Sequence, residues 1–274
     1  MPLSPPPPAD GLRRMSPLQR DRRHCLALPM ALLLMPDRSE AQQLVFRTTG
    51  QEANTLKFDP GNAEAPGFSV EAMRWIEQRQ PNLRFVGQEL LRPVKRIDLE
   101  LESGALEVFF GLVRNDAREA KFHVLDVLYT QYGQFAMRSG DRVSVQSLDD
   151  VRALGDNSVI GVPKGSAFAD FLRAQPGLVV DDGVASVSAT LRKLMTGRVR
   201  LVFFGGAVLR KYIQDEGLEQ QVRLLPTRYL QTEVCVMASR GIEPLKLQRL
   251  RDALEQLRSS GELRRLQEKY QVGG

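Results

Sequence analysis

Few side chains in this sequence have the type and spacing that chemistry needs, and those that do point to holding an anion rather than to turnover. Lys164-Gly165-Ser166 falls where an apolar strand, Ser158 to Val162, gives way to a helical pattern starting at Ala167. At such a junction the free N–H groups and the dipole of the helix favour negative charge, and Ser166 can equally act as a simple N-cap. Arg118 stands in a polar stretch between two apolar runs; a guanidinium can grip a carboxylate with two parallel bonds. Acid–base candidates are sparse. His123 is the one histidine beyond the N-terminal segment, and only Asp126 and Glu233 are available to work with it. No Cys/His/Asp/Glu group has metal-ligand spacing, and no G-x-S-x-G elbow or phosphate-binding loop is present. The expectation is therefore a binding protein, with no catalytic residue, no metal and no cofactor.

The elements that must position these groups alternate between two periodicities. Gln43 to Thr48 reads as a strand, Phe68 to Arg79 as a helix with a Val70, Met73, Trp75, Ile76 stripe, and Leu83 to Val86 as a strand. Val94 to Glu102 reads as a helix closed by Ser103-Gly104, and Leu106 to Gly111 as the next strand. Gln51 to Pro66 and the stretch around Arg118 read as polar loops. After Gly140 a second unit alternates in the same way: helices at Leu148–Leu154, Ala167–Ala174, Val187–Met195 and Gly206–Gln214, with strands between them. Two amphipathic helices, Pro244–Leu257 and Glu262–Tyr270, close the chain. This order predicts an α/β fold with parallel strands. Two apolar extended segments, Gln134–Met137 and Thr232–Ala238, would join the two units as a hinge. The first lobe would then be residues 42–137 plus 232–274, and the second 138–231.

Composition narrows the function classes. With 42% apolar and 26% charged residues, the chain is ordinary for a soluble globular protein. The net charge of +5 includes six arginines and four acids within residues 1–41. Beyond them the charges are interspersed, and no basic run with aromatics suggests a nucleic-acid surface. Arg20, Arg22 and Arg23 precede the apolar run Cys25 to Met35, which is too short to span a bilayer, and Ser39-Glu40-Ala41 follows. This pattern predicts export through the general secretory route with a mature start at Gln42; an uncleaved N-terminal anchor is the competing reading. Residues 1–41 would be signal peptide and upstream sequence, and Cys235 a lone, buried, inert thiol.

The order Ser103-Gly104, apolar strand, Gly111, Asn115, Arg118, Asp126 and Tyr129 resembles bacterial extracellular solute-binding proteins of family 3, the periplasmic receptors of amino-acid ABC importers. The resemblance runs from about Leu44 to Tyr270. It implies a type II periplasmic-binding-protein fold, with two α/β lobes on a two-segment hinge and the ligand in the cleft between them. It places Arg118 at the position of the family's carboxylate-binding arginine, and Lys164, Gly165, Ser166 and Ala167 at its second anion contact, with Ala167 in place of a threonine. Thr48, Val113 and Asn115 complete the expected ligand-binding set, Val113 and Asn115 standing where cleft threonines are usual. Gly205 occupies the position of the aspartate that binds an amino group. A buried ammonium without a carboxylate is strongly penalised, so these departures disfavour a free α-amino acid unless Asp126 or Glu233 substitutes. A less polar carboxylate, a larger ligand reaching the Gly205-Gly206 space, or a cleft without specificity stay open. The resemblance implies a monomeric periplasmic receptor that delivers a small carboxylate-bearing solute to an inner-membrane ABC permease. A sensory or scaffold protein, or a dehydratase-like enzyme on the same fold, is the alternative.

Overall fold

The computed structural model describes residues 43–155 and 158–273. The signal-peptide reading therefore lies outside the described residues. The first lobe opens with β1 (Leu44–Arg47) and β2 (Gly50–Gln51), followed by α1 (Phe68–Arg79), β3 (Leu83–Val86), β4 (Leu91–Arg92), α2 (Val94–Glu102) and β5 (Val108–Val113). β1 and β3 pair in parallel across α1, as a βαβ unit requires. Both alternate buried and exposed residues, which marks one covered face. The covered face builds an aromatic core: Phe46 lies against Phe85, Phe85 against Phe110, and Phe58 against Phe109, with centroids 5.4, 5.3 and 5.5 Å apart. These spacings suit tilted and edge-on ring pairs.

A six-residue helix, α3 (Asp116–Lys121), follows where a loop is expected, and carries Arg118. None of its residues is buried, so it has no apolar stripe to announce it. The Asn115 side chain caps it by accepting from the Arg118 amide at 2.9 Å.

β6 (Phe122–Arg138) runs seventeen residues through both lobes as one strand. The second lobe holds α4 (Leu148–Ala153), β7 (Ile160–Gly161), α5 (Ala167–Arg173), β8 (Val180–Asp181), α6 (Val187–Met195), β9 (Leu201–Gly205), α7 (Gly206–Asp215) and β10 (Val222–Leu224). β11 (Gln231–Ser239) returns to the first lobe, and α8 (Pro244–Ser259) and α9 (Glu262–Lys269) pack beside α1. The large sheet runs β5-β11-β6-β9-β7-β8, with β10 also on β6. It is mixed rather than parallel throughout: β7 is parallel to β8 and β9, whereas β11, β5, β9 and β10 pair antiparallel.

The neighbour of β6 changes within the strand. Tyr132 still opposes Gln231 of β11, while Gly133 already opposes Gly205 of β9. Gln134–Met137 therefore belongs to the second lobe's sheet, and the crossing lies upstream of the boundary at residue 137 expected from sequence. The reason is continuity: an uninterrupted apolar strand hides the point where its neighbour changes. The two crossing segments are bonded to each other, with Gly133 N–H donating to Leu230 O and Tyr229 N–H to Gly133 O, both at 2.9 Å. Phe135, Phe168, Phe203 and Tyr229 form the core behind them.

Candidate functional site

Where the lobes face each other, an inner cavity of about 60 Å³ is lined from the first lobe by Gln51, Asn54, Lys57, Val94, residues 111–113 and Arg118. From the second come residues 165–168, Phe204 and Val208, and Gln131 enters from β6. An outer cavity of about 230 Å³ shares Gln51, Asn54, Val94, Gly165, Ser166 and Phe204, and adds Glu52, Lys95 and Lys164 among others. The two form one cleft. A larger groove of about 850 Å³ lies at the far side of the second lobe, around Arg138, Arg198 and Arg200. It is an open surface feature, and its Arg200 is already bonded to both Asp141 oxygens at 2.7 and 3.1 Å.

Arg118 is held from two sides. Its Nε and Nη2 donate to Asp98 Oδ1 and Oδ2 at 3.0 and 2.9 Å, and its Nη1 donates to Val113 O at 2.7 Å. Its side chain is 12% exposed and that of Asp98 32%. A guanidinium has five N–H donors, so two remain for a ligand, on a group whose charge α2 has already met with a carboxylate.

Lys57 presents the opposite case. It is 4% exposed, and among the described residues its Nζ reaches only neutral acceptors, Gly111 O at 2.6 Å and Gln51 Oε1 at 3.4 Å. Burial, and secondarily the positive charge of Arg118, lower its pKa to about 7. Gly111 makes room for it. With φ +125° the residue is in a region that side chains avoid, and a Cβ there would lie 2.9 Å from Lys57 Cδ. Beside Lys57, Asn54 is also 4% exposed and its Oδ1 receives no hydrogen bond.

Of the residues expected at the ligand, Val113, Arg118, Gly165, Ser166 and Ala167 line the inner cavity, and Lys164 stands at the outer one. The Ser166 hydroxyl is committed locally, accepting from Ala169 N–H at 3.1 Å and donating to Pro163 O at 2.8 Å. Three expected residues stand apart. Thr48 is buried just after β1 and lines neither cavity, Asn115 is the exposed cap of α3, and Gly205 is covered. A Cβ on Gly205 would meet Gln131 Oε1 at 2.8 Å, so a neutral carboxamide fills the space where the aspartate was expected. Neither substitute carboxylate faces the cleft. Asp126 is ion-paired with Arg258, and Glu233 with Arg114 at 2.9 Å. His123 lies 3.3 Å from Arg240, and it too is not among the lining residues. Phe203 is core, whereas Phe204, next along β9, flanks the cleft. Cys235 is fully buried, and burial pushes its thiol up to about 12.

Lys57, Asn54, Gln51, Asp98 and Gln131 escape a reading of the sequence. Gln51, Asn54 and Lys57 sit in what reads as a polar loop. The one hint is Leu56-Lys57-Phe58, a lysine set between two apolar residues, which equally describes a solvent-facing side chain.

Two α/β lobes, crossed twice by the chain with a lined cleft between them, define the type II periplasmic-binding-protein fold. No protein-family model and no curated sequence matches the chain. Among solved structures it is similar to a histidine kinase sensor domain with similarity to periplasmic binding proteins, at 16% identity and a TM-score of 0.69, over 84% of this chain and 97% of that one. It is similar to the substrate-binding protein of an amino acid ABC transporter at 16% identity and a TM-score of 0.66, over 83% and 99%. It is also similar to the ancestral amino acid-binding protein AncCDT-1, a precursor of cyclohexadienyl dehydratase, at 15% identity and a TM-score of 0.67, over 82% and 95%.

Proposed function

We propose that this protein is a divergent member of the family 3 solute-binding proteins, an exported periplasmic receptor that closes its lobes on a small carboxylate-bearing solute and passes it to an inner-membrane ABC permease. The observation that carries this reading is the composition of the cleft. Arg118, fixed by Asp98 and Val113, faces the Gly165–Ala167 loop of the other lobe across one cavity. Cations oriented by a fixed partner, with a second lobe able to exclude water, are what capture of a carboxylate requires. The ABC transporter protein of the same fold supports the transport role.

A thermal-shift screen tests this reading. The purified protein and its Arg118→Ala variant are melted with amino acids, oligopeptides, and aliphatic and aromatic carboxylates. A ligand confined to the folded state raises stability by about 2.7 kcal/mol at one hundred times Kd. The expected result is a rise for one acid class that is reduced in Arg118→Ala. No rise with any compound would refute the receptor reading. A second reading, ligand sensing without transport, draws on the sensor-domain neighbour; reconstituted uptake with a permease would separate the two.

A further inference from the structure

We propose that Lys57 is the group that meets the ligand's negative charge, and that the cleft selects a small organic anion without an amino group. The inference rests on the receptor reading and narrows its ligand class. The charge balance of the inner cavity carries it. Among the described residues lining the inner cavity there are two cations, Lys57 and Arg118, and no carboxylate. Arg118 already has Asp98 on two of its donors. Among the described residues Lys57 has no charged partner, and its contacts are the Gly111 carbonyl at 2.6 Å and the Gln51 carboxamide at 3.4 Å. The Ser69 hydroxyl, nearby on α1, is itself turned to the Phe110 carbonyl at 2.8 Å. The charge facing Lys57 is that of Arg118, which is repulsive.

A buried ammonium without a counter-ion is a standing electrostatic cost, and an anion arriving at it removes that cost. An ammonium on the ligand would meet the reverse situation. The position expected to hold a carboxylate is Gly205, occupied by the Gln131 carboxamide, while Asp126 and Glu233 are paired elsewhere. Asn54, buried and with an unengaged Oδ1 on the same cavity, calls for a neutral donor on the ligand, such as a hydroxyl. The lysine's pKa of about 7 means that in the free protein a large share of molecules carry a neutral amine at neutral pH. Pairing with an anion restores the charged form, and binding draws a proton from solution.

The test is calorimetric titration of the whole protein at pH 6 to 8.5, in buffers of different ionisation enthalpy. The probes are L-lactate, L-malate and succinate, set against L-glutamate, L-glutamine and L-arginine. The expected result is binding of an amine-free acid with proton uptake approaching one per site at the alkaline end. Its affinity falls by roughly tenfold per pH unit above the lysine's pKa. Lys57→Met and Lys57→Gln, checked for cooperative melting, lose at least about tenfold in affinity and lose the pH slope. Preference for the amino acids, or an acid whose affinity and pH slope survive in both lysine variants, overturns this proposal and leaves the receptor reading standing. Absence of binding by every probe to a cooperatively melting protein overturns the receptor reading and this proposal with it.

Discussion

Replacing Asp98 by alanine separates the bracing of α2 against Arg118 from the proposed role of Arg118 in facing a ligand. At about 4 Å and an effective dielectric of about 20, a pair of unit charges is worth roughly 4 kcal/mol. Desolvation offsets much of this, and the one-third exposure of the Asp98 side chain screens the remainder. A net loss of about 1–2 kcal/mol follows, and for a domain of this size that lowers Tm by roughly 2–8 °C. A double-mutant cycle with Arg118→Gln should return most of the loss as coupling between the two residues, about 1 kcal/mol. The truncation also leaves the Nε–Nη2 edge of Arg118 free, so acetate or formate at tens of millimolar should raise the Tm of Asp98→Ala more than that of the wild type. Urea denaturation and melting curves with and without acetate read both effects. Coupling below about 0.3 kcal/mol, the usual limit of additivity for independent sites, would refute the pairing as a fixture of the folded state. An equal acetate response in both proteins would refute the free edge.

Lys57 makes stability pH-dependent. Its folded pKa, about 7, is below the ordinary 10.5, so between those values the unfolded chain holds a proton that the folded chain lacks. Unfolding free energy therefore rises with pH across that window, and Lys57→Met should remove the rise while being more stable than wild type near pH 6. Parallel pH–stability curves for the two proteins would refute this. Gly111→Ala imposes a side chain at φ +125° and a contact of 2.9 Å with Lys57 Cδ. It should cost about 2 kcal/mol or more by denaturant unfolding, and a change below 0.5 kcal/mol would show that the lysine stem is free to move. Gly205→Asp alone should clash with Gln131 Oε1, which lies 2.8 Å from the position of a Cβ. Combined with Gln131→Ala it places a carboxylate in the cleft, and titration with L-glutamine should show binding stronger than in the parent protein; unchanged binding would refute the view that this position selects against amines.

The alternation of helices and strands was legible along the chain because hydrophobic period is a local property. Helices at Phe68–Arg79, Val94–Glu102 and Val187–Met195 are where the apolar stripes and their stop signals put them. α3 was hidden because a short helix with no fully buried residue has no stripe, and the Asn115 cap is its main signal. Arg118 was legible through its spacing from Gly111 and Tyr129, and so was the Gly165–Ala167 loop through its place after a strand. The sequence by itself determined the two-lobed α/β architecture and pointed to one arginine and one loop that both line the cleft. Tertiary structure decided their company. Asp98 lies twenty residues from Arg118 on another element, and Lys57 lies fifty-four residues from the carbonyl that accepts its hydrogen bond. Burial is a property of the assembled chain: the same lysine would be a solvated charge on a surface loop and is, in the folded protein, a buried amine with no counter-ion among the described residues. On that difference rests the proposed choice of ligand.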